Sequence, residues 1–116
     1  MGARAEWREY KSALEKSGIK MSDIADKVNF GPSLDDYEKL SDAYDKVSGK
    51  DQVKLEKAKA ERAKAAKVAA DNGRKYLKVL DFVEKNGNVT PPQKHVLEQV
   101  TMWLGRTILD IGKHAK

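Results

Sequence analysis

Apolar and small residues recur at helical spacing over one long stretch of this chain, from Asp51 to Asn86. The stretch contains no proline and a single glycine. Selected positions along it are separated alternately by three and four residues, which is the a/d repeat of a helix packed against another helix. We call these positions the seam, and its members are Leu55, Ala58, Arg62, Ala65, Ala69, Asn72, Tyr76, Val79 and Val83.

The seam is uneven along its length. Its first half is mostly alanine, whereas large apolar residues begin only at Tyr76. Because burial contributes about 25 cal/mol per Å², we expect Tyr76–Val83 in the core and Leu55–Ala70 to be thinly packed. A glycine inside a helix costs up to about 1 kcal/mol relative to alanine, so the helix is predicted to bend or end at Asp71–Gly73. If Gly73 is helical, Gly73→Ala should stabilise the protein by about 0.4–1 kcal/mol.

Two helices are predicted before the long one. The first covers residues 3–17 and stops at Gly18, and the second is capped by Ser33 and stops at Gly49. Serine is a favoured N-cap, and glycine commonly follows a helix end. The inward-facing residues of these two helices are Trp7, Tyr10, Leu14, Leu34, Tyr37, Leu40 and Tyr44.

A short helical segment, Asp23–Asn29, is predicted between these two helices, with Ser22 as its cap and a turn at Phe30–Pro32. Residues Met21–Phe30 resemble the first helix and turn of a helix-turn-helix. That resemblance implies that the following helix enters the major groove of DNA. The following helix instead offers acidic groups that phosphates repel, namely Asp35, Asp36, Glu38 and Asp42.

The last helix is predicted from Pro91 to about His114, with Thr90 as its capping residue. A strong turn signal at Asn86–Asn88 precedes it, so this helix and the long one should form an antiparallel hairpin. Gly105 would let the two helices approach closely. The apolar face of the last helix is Val96, Leu97, Val100, Trp103, Leu104, Ile108 and Ile111.

The fold class that follows is all-α. No segment alternates like a strand, and 116 residues suffice for one core but not for two. We predict a single domain, residues 1–116, built as a bundle of four to five helices with one long central helix and a C-terminal antiparallel hairpin.

The net charge of +5 is unevenly distributed. Residues 33–49 carry two basic and five acidic groups, whereas residues 50–78 carry ten basic and four acidic groups. An acidic helix therefore precedes a basic one, and the simplest expectation is that the two face each other. Exposed ion pairs of this kind contribute about 0–1 kcal/mol each.

Candidate catalytic and metal sites are weak. His95 with Glu98, and Asp110 with His114, have helical spacings that could hold a metal, but the chain has only two histidines and no cysteine. There is no nucleophile elbow and no glycine-rich phosphate loop. We therefore predict that the protein is not an enzyme and uses no cofactor and no metal.

The predicted function is a non-enzymatic helical protein-interaction module, such as an adaptor, chaperone or assembly subunit. It would bind a protein partner or a second copy of itself through the basic, alanine-rich half of the long helix. The alternative is nucleic-acid or polyanion binding through the same lysine-rich face. The predicted partner-binding residues are Lys54, Lys57, Ala58, Arg62, Lys64, Ala65, Lys67 and Ala69.

No apolar run reaches membrane-spanning length, and the charged residues Met1–Glu6 lack the apolar centre of a signal peptide. A cytoplasmic location without membrane association is the resulting expectation. Export by a system that uses no cleavable signal leaves no mark in a sequence and stays open.

Overall fold

The structure, a computed structural model, describes residues 2–19, 21 and 27–115. Within them it contains four helices and no strand, which confirms the all-α class. The predicted segment Asp23–Asn29 and its Ser22 cap lie mainly outside the described residues. The helices are α1 (Ala3–Lys16), α2 (Phe30–Lys46), α3 (Gln52–Asn86) and α4 (Pro91–Gly112).

Helix α3 runs unbroken through 35 residues. It begins at the predicted cap, where the Asp51 side chain accepts a hydrogen bond of 3.1 Å from the backbone N–H of Lys54. The helix does not end at Asp71–Gly73, so that part of the prediction is wrong. Gly73 is buried inside the helix, and its missing side chain makes room for Ile108 of α4 and Phe30 of α2. Close packing of three helices thus offsets the cost of a helical glycine.

Gly73→Ala should therefore destabilise the protein, contrary to the expectation from helix propensity. A Cβ atom at this position would lie 2.7 Å from Cγ1 of Ile108 and 3.1 Å from a ring carbon of Phe30. Overpacking of this kind costs about 1–3 kcal/mol, which exceeds the gain in helix propensity. Urea denaturation measures the change, and in an Ile108→Ala background the cost of Gly73→Ala should fall, leaving only the contact with Phe30.

Gly105→Ala is the matched control. Gly105 also lies inside a helix, but a Cβ atom there would meet nothing within 4 Å, so the predicted close approach at Gly105 is wrong. This substitution should stabilise the protein by about 0.4–1 kcal/mol. Equal effects of the two substitutions would show that packing around Gly73 is looser than described.

The core is centred on Trp7. Its ring lies 4.7 Å from that of Tyr76, 5.1 Å from that of Phe30 and 5.9 Å from that of Trp103, so one side chain joins all four helices. The expectation that Tyr76–Val83 lies in the core is confirmed for most of its large residues, although Phe82 is 58% exposed. The buried apolar residues of the described chain are Trp7, Leu14, Ile19, Phe30, Leu34, Ala66, Ala69, Ala70, Tyr76, Val79, Leu80, Val83, Leu97, Val100, Trp103, Leu104, Ile108 and Ile111.

Helix α2 begins earlier than predicted. Ser33 is not its cap but lies in the first turn, where its hydroxyl donates a 2.7 Å hydrogen bond to the carbonyl of Phe30. Pro32 is accepted there because the first-turn amides of a helix have no intrahelical partner. The earlier start carries Phe30 into the core with no exposed surface. The predicted turn at Phe30–Pro32 is therefore wrong.

Beyond the core, α2 and α3 continue as a two-helix projection that we call the arm, residues 35–65. No residue in that range is buried. Of three residues predicted to support the core, Tyr37 is half-buried and packs against it, whereas Leu40 and Tyr44 are half-buried and lie further out in the arm. The molecule is accordingly elongated, with extents of 56 × 22 × 19 Å. The thin packing predicted for Leu55–Ala70 is confirmed up to Ala65 and is wrong for residues 66, 69 and 70, which are buried.

Candidate interaction surface

Helix α2 lies against the seam of the arm at Arg62. The guanidinium carbon of Arg62 lies 3.9 Å from the centre of the Tyr44 ring, a cation–π contact between the two helices. The Nε atom of Arg62 is buried and has no hydrogen-bond partner among the described residues. Arg62 thus fills the gap that an alanine-rich seam leaves, using its aliphatic stem and the flat face of its guanidinium.

The contact between Arg62 and Tyr44 should be measurable as a coupling free energy. In a double-mutant cycle with Arg62→Met and Tyr44→Leu, we expect a coupling of about 0.5–1 kcal/mol, as for a partly exposed cation–π pair. Lys57→Met in place of Arg62→Met is the control, since Lys57 lies exposed on the same helix. Thermal or urea denaturation gives all four stabilities, and a coupling no larger than the control's would contradict the contact.

The eight predicted partner-binding residues fall into three groups. Ala69 has no exposed surface, so its position is already filled within the chain. Ala58, Arg62 and Ala65 are half-buried beside α2. The remaining four are exposed, and they are Lys54, Lys57, Lys64 and Lys67.

The acidic residues of α2 do not neutralise these lysines. Asp35 pairs instead with Arg4 of α1 at 3.1 Å, and Glu38 accepts a 2.8 Å hydrogen bond from the backbone N–H of Arg4. Across the described residues, no ion pair joins α2 to α3. The two helices pack together as predicted, but the expected pairing of their charges is wrong. Lys54, Lys57, Lys64 and Lys67 therefore form no ion pair with α2 among the described residues.

An open groove of about 430 Å³ runs between α2 and α3. Its floor is apolar and consists of Leu40, Ala65 and Val68, with Val68 50% exposed. Charged side chains of both signs form its rims, and they are Asp36, Lys39, Glu61 and Lys64. Only Lys64 and Ala65 of this groove were among the predicted residues. An apolar residue outside the seam, Val68, is the sequence signal that could have indicated the rest.

A second cleft lies where α1, α2 and α4 meet. The Tyr37 hydroxyl and Nδ1 of His114 are 2.5 Å apart, and their rings stack at 6.1 Å. Burial raises the pKa of Tyr37, although the nearby Arg62 opposes that shift. On the α1 side, the Trp103 indole donates a 2.5 Å hydrogen bond to the Glu6 carboxylate. These contacts connect neighbouring helices. His114, just after α4, contacts Tyr37 of α2, and Trp103 of α4 contacts Glu6 of α1.

Within residues 2–19, 21 and 27–115, no three His, Cys, Asp or Glu side chains gather as a metal site would require.

None of the helices in the described part of the chain is long and apolar enough to cross a bilayer.

Comparison with protein-family models, with curated proteins and with solved structures finds no match to this chain. The geometry of the arm is therefore the basis for a functional proposal.

Proposed function

We propose that this chain is a single-domain, non-enzymatic protein-interaction module, an adaptor, chaperone or assembly subunit, that docks a partner on its arm. One observation carries the proposal: the groove between α2 and α3, at the end of the arm nearest the core, exposes an apolar floor of Leu40, Ala65 and Val68. Apolar floors with polar rims mark docking sites for proteins, and grooves between helices accept further helices.

The division of the molecule into a packed base and a projecting arm suits this function. The core around Trp7 holds the base together, and α3 passes from the base into the arm without a break. We further propose that α4 and the second half of α3 form an antiparallel hairpin, as their short connection favours. The arm then presents its groove from a rigid support.

The exposed lysines contribute to the rate and selectivity of docking. Lys54, Lys57 and Lys67 lie outside the groove lining and make no ion pair with a described residue. Uncompensated charge beside an apolar site accelerates encounters with a partner of opposite charge. Ala65 and Lys64, which line the groove itself, are the predicted residues closest to the docked partner.

Affinity capture from the source cell tests the proposal. The wild type and Ala60→Glu should capture the same protein, whereas Ala65→Glu should lose it. Both alanines lie on α3, but Ala65 forms the groove floor and Ala60 is exposed outside the lining. Loss with both variants or with neither contradicts docking in the groove. Light scattering coupled to size exclusion shows whether the captured protein is a second copy of the chain.

The alternative function, binding of a nucleic acid or another polyanion, is favoured by a separate observation. All five lysines of α3 between residues 54 and 67 are exposed and form no ion pair with any described residue, namely Lys54, Lys57, Lys59, Lys64 and Lys67. Binding to generic DNA or RNA that falls steeply between low and physiological salt supports this alternative. The absence of binding at low salt rejects it.

A further inference from the structure

Two contacts determine the relative heights of α2 and α3 along the groove. Arg62 lies over Tyr44, and the side-chain amide of Asn72 donates a 3.4 Å hydrogen bond to the carbonyl of Asn29. In one direction along the groove, residue numbers rise in α2, from Asn29 to Tyr44, and fall in α3, from Asn72 to Arg62. The two helices are therefore antiparallel. Between these two contacts, Lys39 lies at about the height of Lys64.

The charges on the groove rims follow an ordered pattern at these heights. Lys39 lines the groove from α2 and Lys64 lines it from α3, at about the same height. Asp36 and Glu61 each lie three residues from the lysine on their own helix, which at 1.5 Å per residue is about 4.5 Å, and they lie in opposite directions. Along the groove the order is acidic, doubly basic, acidic. None of the four makes an ion pair with a described residue.

From this pattern we infer the chemistry of the partner, an inference that rests on the proposed docking function. We propose that the groove binds an amphipathic helix of a different protein, with an acidic residue at its centre and a basic residue one turn to either side. The central carboxylate would lie between Lys39 and Lys64, and the flanking bases would meet Asp36 and Glu61. The apolar face of that helix would cover Leu40, Ala65 and Val68.

A second copy of this chain fits the groove poorly. Because the order of charges is the same from either end, a two-fold axis through the middle of the groove would place lysines on lysines and acids on acids. Like charges brought together at an interface oppose association. The charge pattern thus favours a foreign helix of complementary pattern.

Two synthetic peptides test this assignment. Both are alanine-based helices of about 20 residues, long enough to be helical in water, with the same leucine face. The first has Glu at the centre and Lys four residues to either side, and the second has Lys at the centre and Glu at both flanks. Fluorescence anisotropy at low salt should show the first binding about tenfold more tightly, because each of its three charges meets an exposed group of opposite sign.

General attraction between charges works against this expectation. The protein carries a net charge of +5, so without a specific site it would prefer the second, more acidic peptide. Reversing the two central lysines, with Lys39→Glu and Lys64→Glu, should abolish or invert the preference. The matched control, Lys57→Glu with Lys59→Glu, makes the same change in net charge outside the groove lining and should keep it.

Equal binding of the two peptides, tighter binding of the second, or binding of neither overturns the inference. Sedimentation that shows wild-type dimers lost on Ala65→Glu also overturns it, because the groove would then hold a second copy. These outcomes are separate from those of the capture experiment. If capture depends on Ala65 but the peptides bind equally, the docking function stands and the assignment of the partner's charges fails.

Discussion

Replacing Trp7 with alanine is expected to lower the free energy of unfolding by about 3–5 kcal/mol, the range for truncation of a large buried aromatic side chain. Trp7 is 2% exposed and contacts the rings of Phe30, Tyr76 and Trp103. Edge-to-face and stacked pairs such as these add about 0.5–1.5 kcal/mol beyond area burial. Urea denaturation followed by circular dichroism measures the loss.

Tyr10→Ala is the control for Trp7→Ala. Tyr10 lies one turn further along α1, remains half-exposed, and among the described aromatic rings contacts that of Trp103, at 5.0 Å. Its removal should cost clearly less than removal of Trp7. A loss for Trp7→Ala no greater than that for Tyr10→Ala would show that the four helices do not converge on Trp7.

The second large effect is expected for Leu104→Ala, at about 2–5 kcal/mol. Leu104 is on the inner face of α4 and has no exposed surface. Leu109→Ala makes the same chemical change on the same helix at a residue that is 70% exposed, so its effect should stay within about 0.5 kcal/mol. A cost below about half a kcal/mol for Leu104→Ala would mean that the core has been misplaced.

Much of the helical architecture could be predicted from local patterns. The a/d spacing predicted α3, and its Asp51 cap is observed. The capping box at the start of α4 is likewise present, with Thr90 accepting from the backbone of Gln93 while the Gln93 side chain accepts from Thr90. These features depend on neighbouring residues, so the sequence alone contains the relevant information.

The errors occurred where distant residues determine the outcome. Helix propensity disfavours glycine, so Gly73 is predicted to interrupt α3. The packing of Gly73 against Ile108 is a tertiary contact, which helix propensity does not describe. The earlier start of α2 depends on burial of Phe30 beneath Trp7, again a contact between separate helices. In both cases the residue predicted to lie at a bend or turn, Gly73 or Phe30, is buried within a helix.

The candidate site was only partly predictable for a related reason. The seam identified α3 as a helix with a thinly packed half, and Arg62 as an unusual residue within it. The seam could not show that Tyr44 already covers Arg62. Once α2 occupies that face, the surface left open is the one beside it, where Leu40 and Val68 contribute apolar area from two different helices.

Amide hydrogen exchange tests the central claim, that the arm is thinly packed in the free chain and becomes ordered by a docked helix. In the free protein, amides of Ala58–Ala65 should exchange much faster than those of Tyr76–Val83, because local opening is easier where few apolar groups are buried. Binding of the captured partner should slow exchange across Ala58–Ala65 and leave Tyr76–Val83 unchanged. Exchange in the free arm as slow as in the core, or an arm that stays fast with the partner bound, would contradict the account.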